Sequence, residues 1–135
     1  MNKPVTERKI LEDLTRDERQ RVEFKRGLIK TGDLAETIMA FANAEGGLIY
    51  LGIDEGPPPH PSGRIKQVTK VYLDNIHRAA RDILVPPVKN VIAYEVEVKG
   101  KKVLAVVVPP SNRIHQHRNG KILIRRGSEN VALRG

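Results

Sequence analysis

The stretch Ala40–Phe41–Ala42–Asn43–Ala44–Glu45–Gly46–Gly47–Leu48–Ile49–Tyr50–Leu51–Gly52–Ile53–Asp54–Glu55–Gly56 decides the fold. Leu34, Ile38, Phe41 and Ala42 recur at helical spacing, so the stretch opens inside a helix with one buried face. That helix is expected from Leu34 to about Ala44, with Asp33 as its cap. Gly46–Gly47 stops it, because glycine supplies positive φ without a Cβ penalty. Leu48 to Ile53 then reads as a central, buried strand that delivers Asp54 and Glu55 at its C-terminal end. Asn43 stands in the last helical turn, where its amide can bond freed carbonyls or reach a ligand. Asn43, Gly46 and Gly47 are assigned to building this turn.

Upstream, Glu7 to Leu14 has a short helical pattern behind a Thr6 cap, and Val22–Glu23–Phe24–Lys25 alternates like a strand. Downstream, Asp54 to Gly63 carries three consecutive prolines and reads as a surface loop. A helix is expected from Lys70 to Leu84, capped by Thr69 and ended by Pro86–Pro87. Val91 to Val98 and Lys102 to Val108 flank Lys99–Gly100–Lys101 as a hairpin. Pro109 to Gly120 is a loop, and Lys121 to Arg126 a last strand. No internal repeat appears. The order predicts one α/β (α+β) domain over residues 1–135, a single mixed β-sheet with about three packed helices.

The totals narrow the partners. The chain has 135 residues and a formal net charge of +8, an excess that attracts polyanions. It has no Cys, which excludes disulfides, thiolate zinc sites and cysteine nucleophiles. Residues Met1 to Leu14 lack the apolar core of a signal peptide, and no apolar run reaches a membrane span. A soluble, cytoplasmic protein without a membrane partner is expected. The absence of Cys, the many Lys and Arg, and nine Pro match a thermophile's composition. Aromatics make up only 4% of the chain, which disfavours recognition of single strands by base stacking.

The cations come in patches. Lys25, Arg26 and Lys30 flank the second helix, while Arg113, His115, His117, Arg118, Lys121, Arg125 and Arg126 crowd the C-terminal region. On a strand ending in a loop these form a stripe for a phosphate backbone. The bland alternative is a solvated strand edge protected by charge. Alternation sends Arg125 and Arg126 to opposite faces, so only one can meet the ligand. His115-x-His117 has the spacing for two metal ligands, but solvated or phosphate-contacting histidines explain it as well. No ATP is expected: there is no Walker-type phosphate loop, and the glycine pair closes a helix, presenting its partly negative end.

The quoted stretch, together with Glu18, Val22–Glu23–Phe24–Lys25 and Arg125–Arg126–Gly127–Ser128, resembles the Schlafen-type AlbA-like domain over about Glu18 to Ser128. That family shows an acid five residues before a Glu-Phe-Lys, here Glu18 and Glu23. An Ala-Phe-Ala-Asn-x-x-Gly-Gly follows, then a strand ending in paired acids, and finally an Arg-x-Gly-Ser or -Thr. The resemblance implies a DNA-binding domain or, as in the vertebrate Schlafens that cut tRNA, an endoribonuclease using two Glu and one Asp. Carried over, the catalytic set is Glu18, Glu23 and Asp54 or Glu55. Glu18, Glu23 and Asp54 would be the metal ligands if the chain is a nuclease. Clustered carboxylates then hold Mg²⁺ or Mn²⁺, which polarises the phosphodiester and activates water. The usual Ser after the first Glu is Arg19 here, the segment from Lys25 to Ala40 is shorter, and no Cys is available for the Schlafen zinc element. Cleavage is therefore ranked below binding.

Three functions follow. The first is a nucleic-acid-binding domain that contacts phosphates of DNA or structured RNA with little base readout and needs no cofactor. The second is the metal-dependent endoribonuclease. The third is a scaffold that binds another protein through an apolar patch. Vertebrate Schlafens carry two such domains in one chain, so a homodimer is one way for a single copy to build a comparable groove.

Overall fold

The central strand is buried on both faces, which is why its sequence is an apolar run and not an alternation. In the computed structural model, residues 5–16, 18–25, 30–53 and 70–133 are described, with the backbone alone at 70–72. Strands β1 (Val22–Lys25), β2 (Gly47–Leu51), β4 (Ile92–Val98) and β5 (Lys101–Val108) form a four-stranded mixed sheet ordered β1-β2-β5-β4. β1 runs parallel to β2, with Glu23 level with Ile49 and Lys25 with Leu51. The other pairings are antiparallel.

One face of the sheet packs on helices α2 (Thr31–Ala42) and α3 (Lys70–Arg81). Ile38, Phe41, Ile49, Leu51, Ile76, Leu104 and Val106 meet there in one apolar cluster. The other face holds Phe24, Tyr50, Ile53 and Ala105 against Ile10 of helix α1 (Glu7–Asp13). Phe24 and Tyr50 stack with ring centroids 5.8 Å apart. The Tyr50 hydroxyl donates to Asp13 Oδ2 at 2.6 Å, and Asp13 also pairs with Arg19 and Lys9. A buried carboxylate is kept only with such partners. Thr6 caps α1 as expected, its Oγ1 accepting from Lys9 N at 3.4 Å.

Several boundaries shift. α2 starts at Thr31, with Lys30 as a cap residue that makes no side-chain bond; Asp33 lies inside the first turn, where its charge meets the positive helix end. α3 ends at Arg81, and Leu84–Val85 leaves it as strand β3. The hairpin turn needs only Lys99 and Gly100, both at positive φ (48° and 76°), the signature of a two-residue turn matched to strand twist. The Pro109–Gly120 loop contains a short strand, β6 (Gln116–His117), paired with β3.

The largest difference is at the C-terminus. β7 (Leu123–Arg126) does not join the main sheet but pairs with β8 (Glu129–Ala132) in a separate ribbon. Side chains fasten that ribbon: Gln20 Nε2 donates to Arg125 O at 2.9 Å, and Gly127 N donates to Gln20 Oε1 at 2.7 Å. Asn130 Nδ2 donates to Thr37 Oγ1 at 3.2 Å, tying the ribbon to α2. The expected loop at Asp54–Gly63 and the Thr69 cap lie outside the described residues. Among the described residues, no helix is long and apolar enough to cross a membrane.

Candidate functional site

Parallel pairing of β1 with β2 brings the first acids together. Glu23 points into the protein with its side chain 7% exposed. Glu18 lies just before the strand, and its Oε2 accepts from Phe24 N at 2.8 Å. That bond turns the Glu18 carboxyl toward Glu23, and the two carboxyls share a hydrogen bond. Such a bond needs a proton between them. Glu23 is accordingly pushed up to about 7, first by burial and then by Glu18; Arg125 and Lys25 oppose the shift without cancelling it. Arg125 NH2 is 3.4 Å from Glu23 Oε1, and Lys25 Nζ is 3.7 Å from Oε2.

The third acid of the expected set, Asp54 or Glu55, lies outside the described residues. The strand leading to it is held at the same edge, since Gly52 N and Ile53 N both donate to Lys25 O, at 2.7 and 3.0 Å. Among the described residues no group of three potential metal ligands forms. Glu18 and Glu23 are a proton-sharing pair.

Arg125 is not on the surface stripe. It is 3% exposed, with its guanidinium 4.8 Å from the centre of the Phe41 ring. NH2 donates to the carbonyls of Arg19 and Val22 at 3.0 and 3.2 Å, and NH1 to Asn130 Oδ1 at 2.9 Å. Its fork is filled by its own chain, so a phosphate has no access to it. Arg126 takes the opposite, exposed face, as strand alternation requires.

His115 is also withdrawn from the surface. It is 3% exposed, with Nδ1 2.7 Å from Pro86 O and Nε2 2.8 Å from Ser111 Oγ. It is therefore neither a phosphate contact nor half of an open H-x-H metal pair. His117 is half-buried, and its Nδ1 accepts from Asn119 N at 3.1 Å. Lys30, Arg113, Arg118, Lys121 and Arg126 are exposed and Lys25 is half-buried. Arg26 lies outside the described residues. Lys25 and Lys121 line a groove of about 410 Å³ with Asp33, Glu36, Thr37, Leu123 and Asn130. Lys121 Nζ contacts Glu36 Oε1 at 2.9 Å. The groove thus adjoins the acid pair through Lys25 and the ribbon through Asn130.

The turn residues do what their types allow. Asn43 Oδ1 accepts from His115 N at 2.7 Å, and its Nδ2 donates to His115 O and Leu123 O at 3.0 and 2.9 Å. One amide thereby fixes the loop and the start of β7 to the end of α2. Gln20 and Thr37 also carry weight in the site but were hidden, Gln20 inside a charged stretch and Thr37 on a helix. Only their spacing to the ribbon, which sequence does not show, marks them.

The shared proton has a stability consequence. Between pH 4.5, the ordinary glutamate value, and about 7, folded Glu23 is protonated while the unfolded chain is ionised. The folded state then holds more protons, so stability falls as pH rises through that window and levels off above it. Allowing for the coupling to Glu18, the loss is about 2 kcal/mol. Glu23→Gln can still donate to Glu18 and accept from Arg125 without ionising. It should raise the midpoint of thermal unfolding at pH 8 by roughly 5–10 °C and leave it nearly unchanged at pH 5. Equal shifts at both pH values would contradict the shared proton.

Comparison with known proteins places this geometry. The family model described as Schlafen, AlbA_2 matches residues 18–134. No curated protein matches the sequence. Among solved structures, the DIP2311 protein from Corynebacterium diphtheriae superposes with a TM-score of 0.68 at 15% identity, covering 94% of this chain. This chain spans 29% of the length of that protein. The N-terminal domain of an ATP-dependent DNA helicase RecG-related protein from Nitrosomonas europaea gives a TM-score of 0.66 at 24% identity. That match covers 80% of this chain and 75% of the other. At such identities both likenesses establish the fold.

Proposed function

Because the chain belongs to the Schlafen AlbA_2 family, we propose that it binds nucleic acid through the phosphate backbone, with little readout of base sequence. The observation that carries this reading is the exposed cation set Arg113, Arg118, Lys121 and Arg126 on one C-terminal segment, in a chain of net charge +8. Lys25, Lys30 and His117 extend it. Both Phe residues and Tyr50 are fully buried, so they offer no stacking surface to bases. Contacts to phosphates carry no sequence information, and duplex DNA and structured RNA would be held by shape.

The test is binding to a duplex DNA and to a tRNA over a range of salt concentrations. With ~4–6 phosphates contacted, log affinity for duplex DNA should fall with log salt at a slope of about −4 to −5. Unrelated duplexes should bind alike. A flat salt response, or no binding at low salt, overturns the reading.

One observation favours a second activity on the same ligand. Glu18 and Glu23 meet beside Lys25, and the raised Glu23 shows that the two neighbouring cations do not neutralise the pair. A divalent cation could replace the shared proton there, with Asp54 or Glu55 as a further ligand. Mg²⁺ or Mn²⁺ at such a site activates water and stabilises charge on a phosphodiester. Under this reading Glu23→Gln abolishes metal-dependent RNA cleavage while binding holds or tightens. Cleavage that persists in that variant removes Glu23 from the machinery.

A further inference from the structure

A second cavity lies away from the acid pair, between the segment following β3 and the loop between β5 and β6. Its volume is about 520 Å³. Pro86, Pro87, Pro109 and Pro110 supply rigid apolar wall, and Lys89 and Arg113 the charges; no acid lines it. Ser111 and His115 also reach it.

The protonation of this pair follows from its partners. The carbonyl of Pro86 only accepts, so the contact from His115 Nδ1 at 2.7 Å fixes the proton on Nδ1. Nε2 of the neutral ring is then an acceptor, and at 2.8 Å its donor is the Ser111 hydroxyl. Proton direction runs from Ser111 to His115, and from His115 to Pro86. A serine in this state keeps its lone pairs outward and has no proton to give an anion. It is set up as a nucleophile with a base beside it and a third group orienting that base.

The frame is rigid as well. Ser111 N donates to Ala42 O at 2.9 Å, and Asn43 holds both the N–H and the carbonyl of His115. Both residues are therefore tied to the same helix end, which limits how far their side chains can drift apart. Asn90, Asn112 and Arg113 place N–H donors on the cavity lining.

We propose that Ser111 and His115 form a nucleophile–base dyad that hydrolyses carboxylic esters carrying an anionic group. Ser111 Oγ attacks the ester carbonyl carbon while its proton passes to His115 Nε2. Collapse of the tetrahedral adduct breaks the bond to the alcohol oxygen, which leaves with that proton, and an acyl-serine remains. Water then attacks the acyl carbon, His115 taking and returning its proton, to release the acid and restore the serine. Lys89 and Arg113 select the anionic substrate, and the proline walls take its apolar part.

The experiment is labelling of the full chain with a fluorescent fluorophosphonate, alongside hydrolysis of 4-nitrophenyl hydrogen succinate and 4-nitrophenyl acetate. The label should map to Ser111, and the succinate should be turned over faster than the acetate. Ser111→Ala should lower labelling and hydrolysis by about 100-fold or more while keeping the wild-type melting temperature. Ser111→Cys should lose the fluorophosphonate label and gain a thiol-specific iodoacetamide label. Arg113→Ala should abolish the preference for the succinate while leaving labelling in place. No label, a label on another residue, or ester hydrolysis unchanged in Ser111→Ala overturns the dyad.

Discussion

Gly47→Val should leave the chain without a cooperative fold at 25 °C. A Cβ built at Gly47 lies 2.7 Å from Arg21 O, a backbone atom that cannot swing aside. Arg21 O is also the acceptor for Leu48 N at 2.8 Å, the bond that starts the β1–β2 pairing. Any side chain at 47 must push β1 away from β2. With β1 go Phe24, which stacks on Tyr50, and Glu23, which meets Arg125. Losing a buried aromatic contact and a strand pairing together exceeds 4 kcal/mol, against a total of about 5–15 kcal/mol for a domain. Gly46 is protected differently. Its φ of +75° is costly for any L side chain, and a Cβ would also sit 2.6 Å from Val108 O. The measurements are far-UV circular dichroism and a thermal melt of Gly47→Val and Gly46→Ala. A native melt for Gly47→Val, with nucleic-acid binding lost, would move Gly47 from the scaffold to the ligand site.

The legible parts of this fold are those where a residue type has few alternatives. Gly46–Gly47 after a periodic helix, Lys99–Gly100 between two alternating runs, and the apolar run Leu48–Ile53 each admit one local structure. Strand β8 was hidden because Glu-Asn-Val-Ala is short and half polar, so no alternation marks it. The separate β7–β8 ribbon depends on Gln20 and Asn130, whose roles arise only once distant segments meet. Arg125 and His115 were placed on the surface because arginine and histidine usually are. Burial of a cation becomes tolerable only where carbonyls, a carboxyl and an aromatic face converge, and sequence shows no such convergence. The acid pair was half legible: the spacing of Glu18 and Glu23 pointed to it, but the shared proton required the Phe24 N–H that turns Glu18 inward.

Arg125→Ala and Arg126→Ala should separate stability from binding, although the two residues are adjacent. Arg125 reaches the carbonyls of Arg19 and Val22, Asn130 and Glu23, and lies over Phe41. Truncation opens a cavity above the Phe41 ring and strips those acceptors of a charged donor. Each hydrogen bond from a charged group is worth roughly 1.5–3 kcal/mol net, but Glu23 can protonate and soften the loss. The expected cost is about 4 kcal/mol, a fall in melting temperature of roughly 10–20 °C. The ribbon should loosen first, because Arg125, Gln20 and Asn130 hold it to the rest of the chain. Arg126 is exposed, so Arg126→Ala should change stability by no more than about 0.5 kcal/mol. Its effect should appear in binding, as a salt slope shallower by about 1 and an equal weakening for unrelated duplexes. Below its own melting temperature, the Arg125→Ala protein that remains folded should bind with the wild-type salt slope, since a buried guanidinium neutralises no phosphate. Thermal melts and salt titrations of the two variants decide the matter. A lowered slope in folded Arg125→Ala would show that its guanidinium leaves the Phe41 site to meet the backbone. A large stability loss in Arg126→Ala would show that the exposed cation also holds the ribbon.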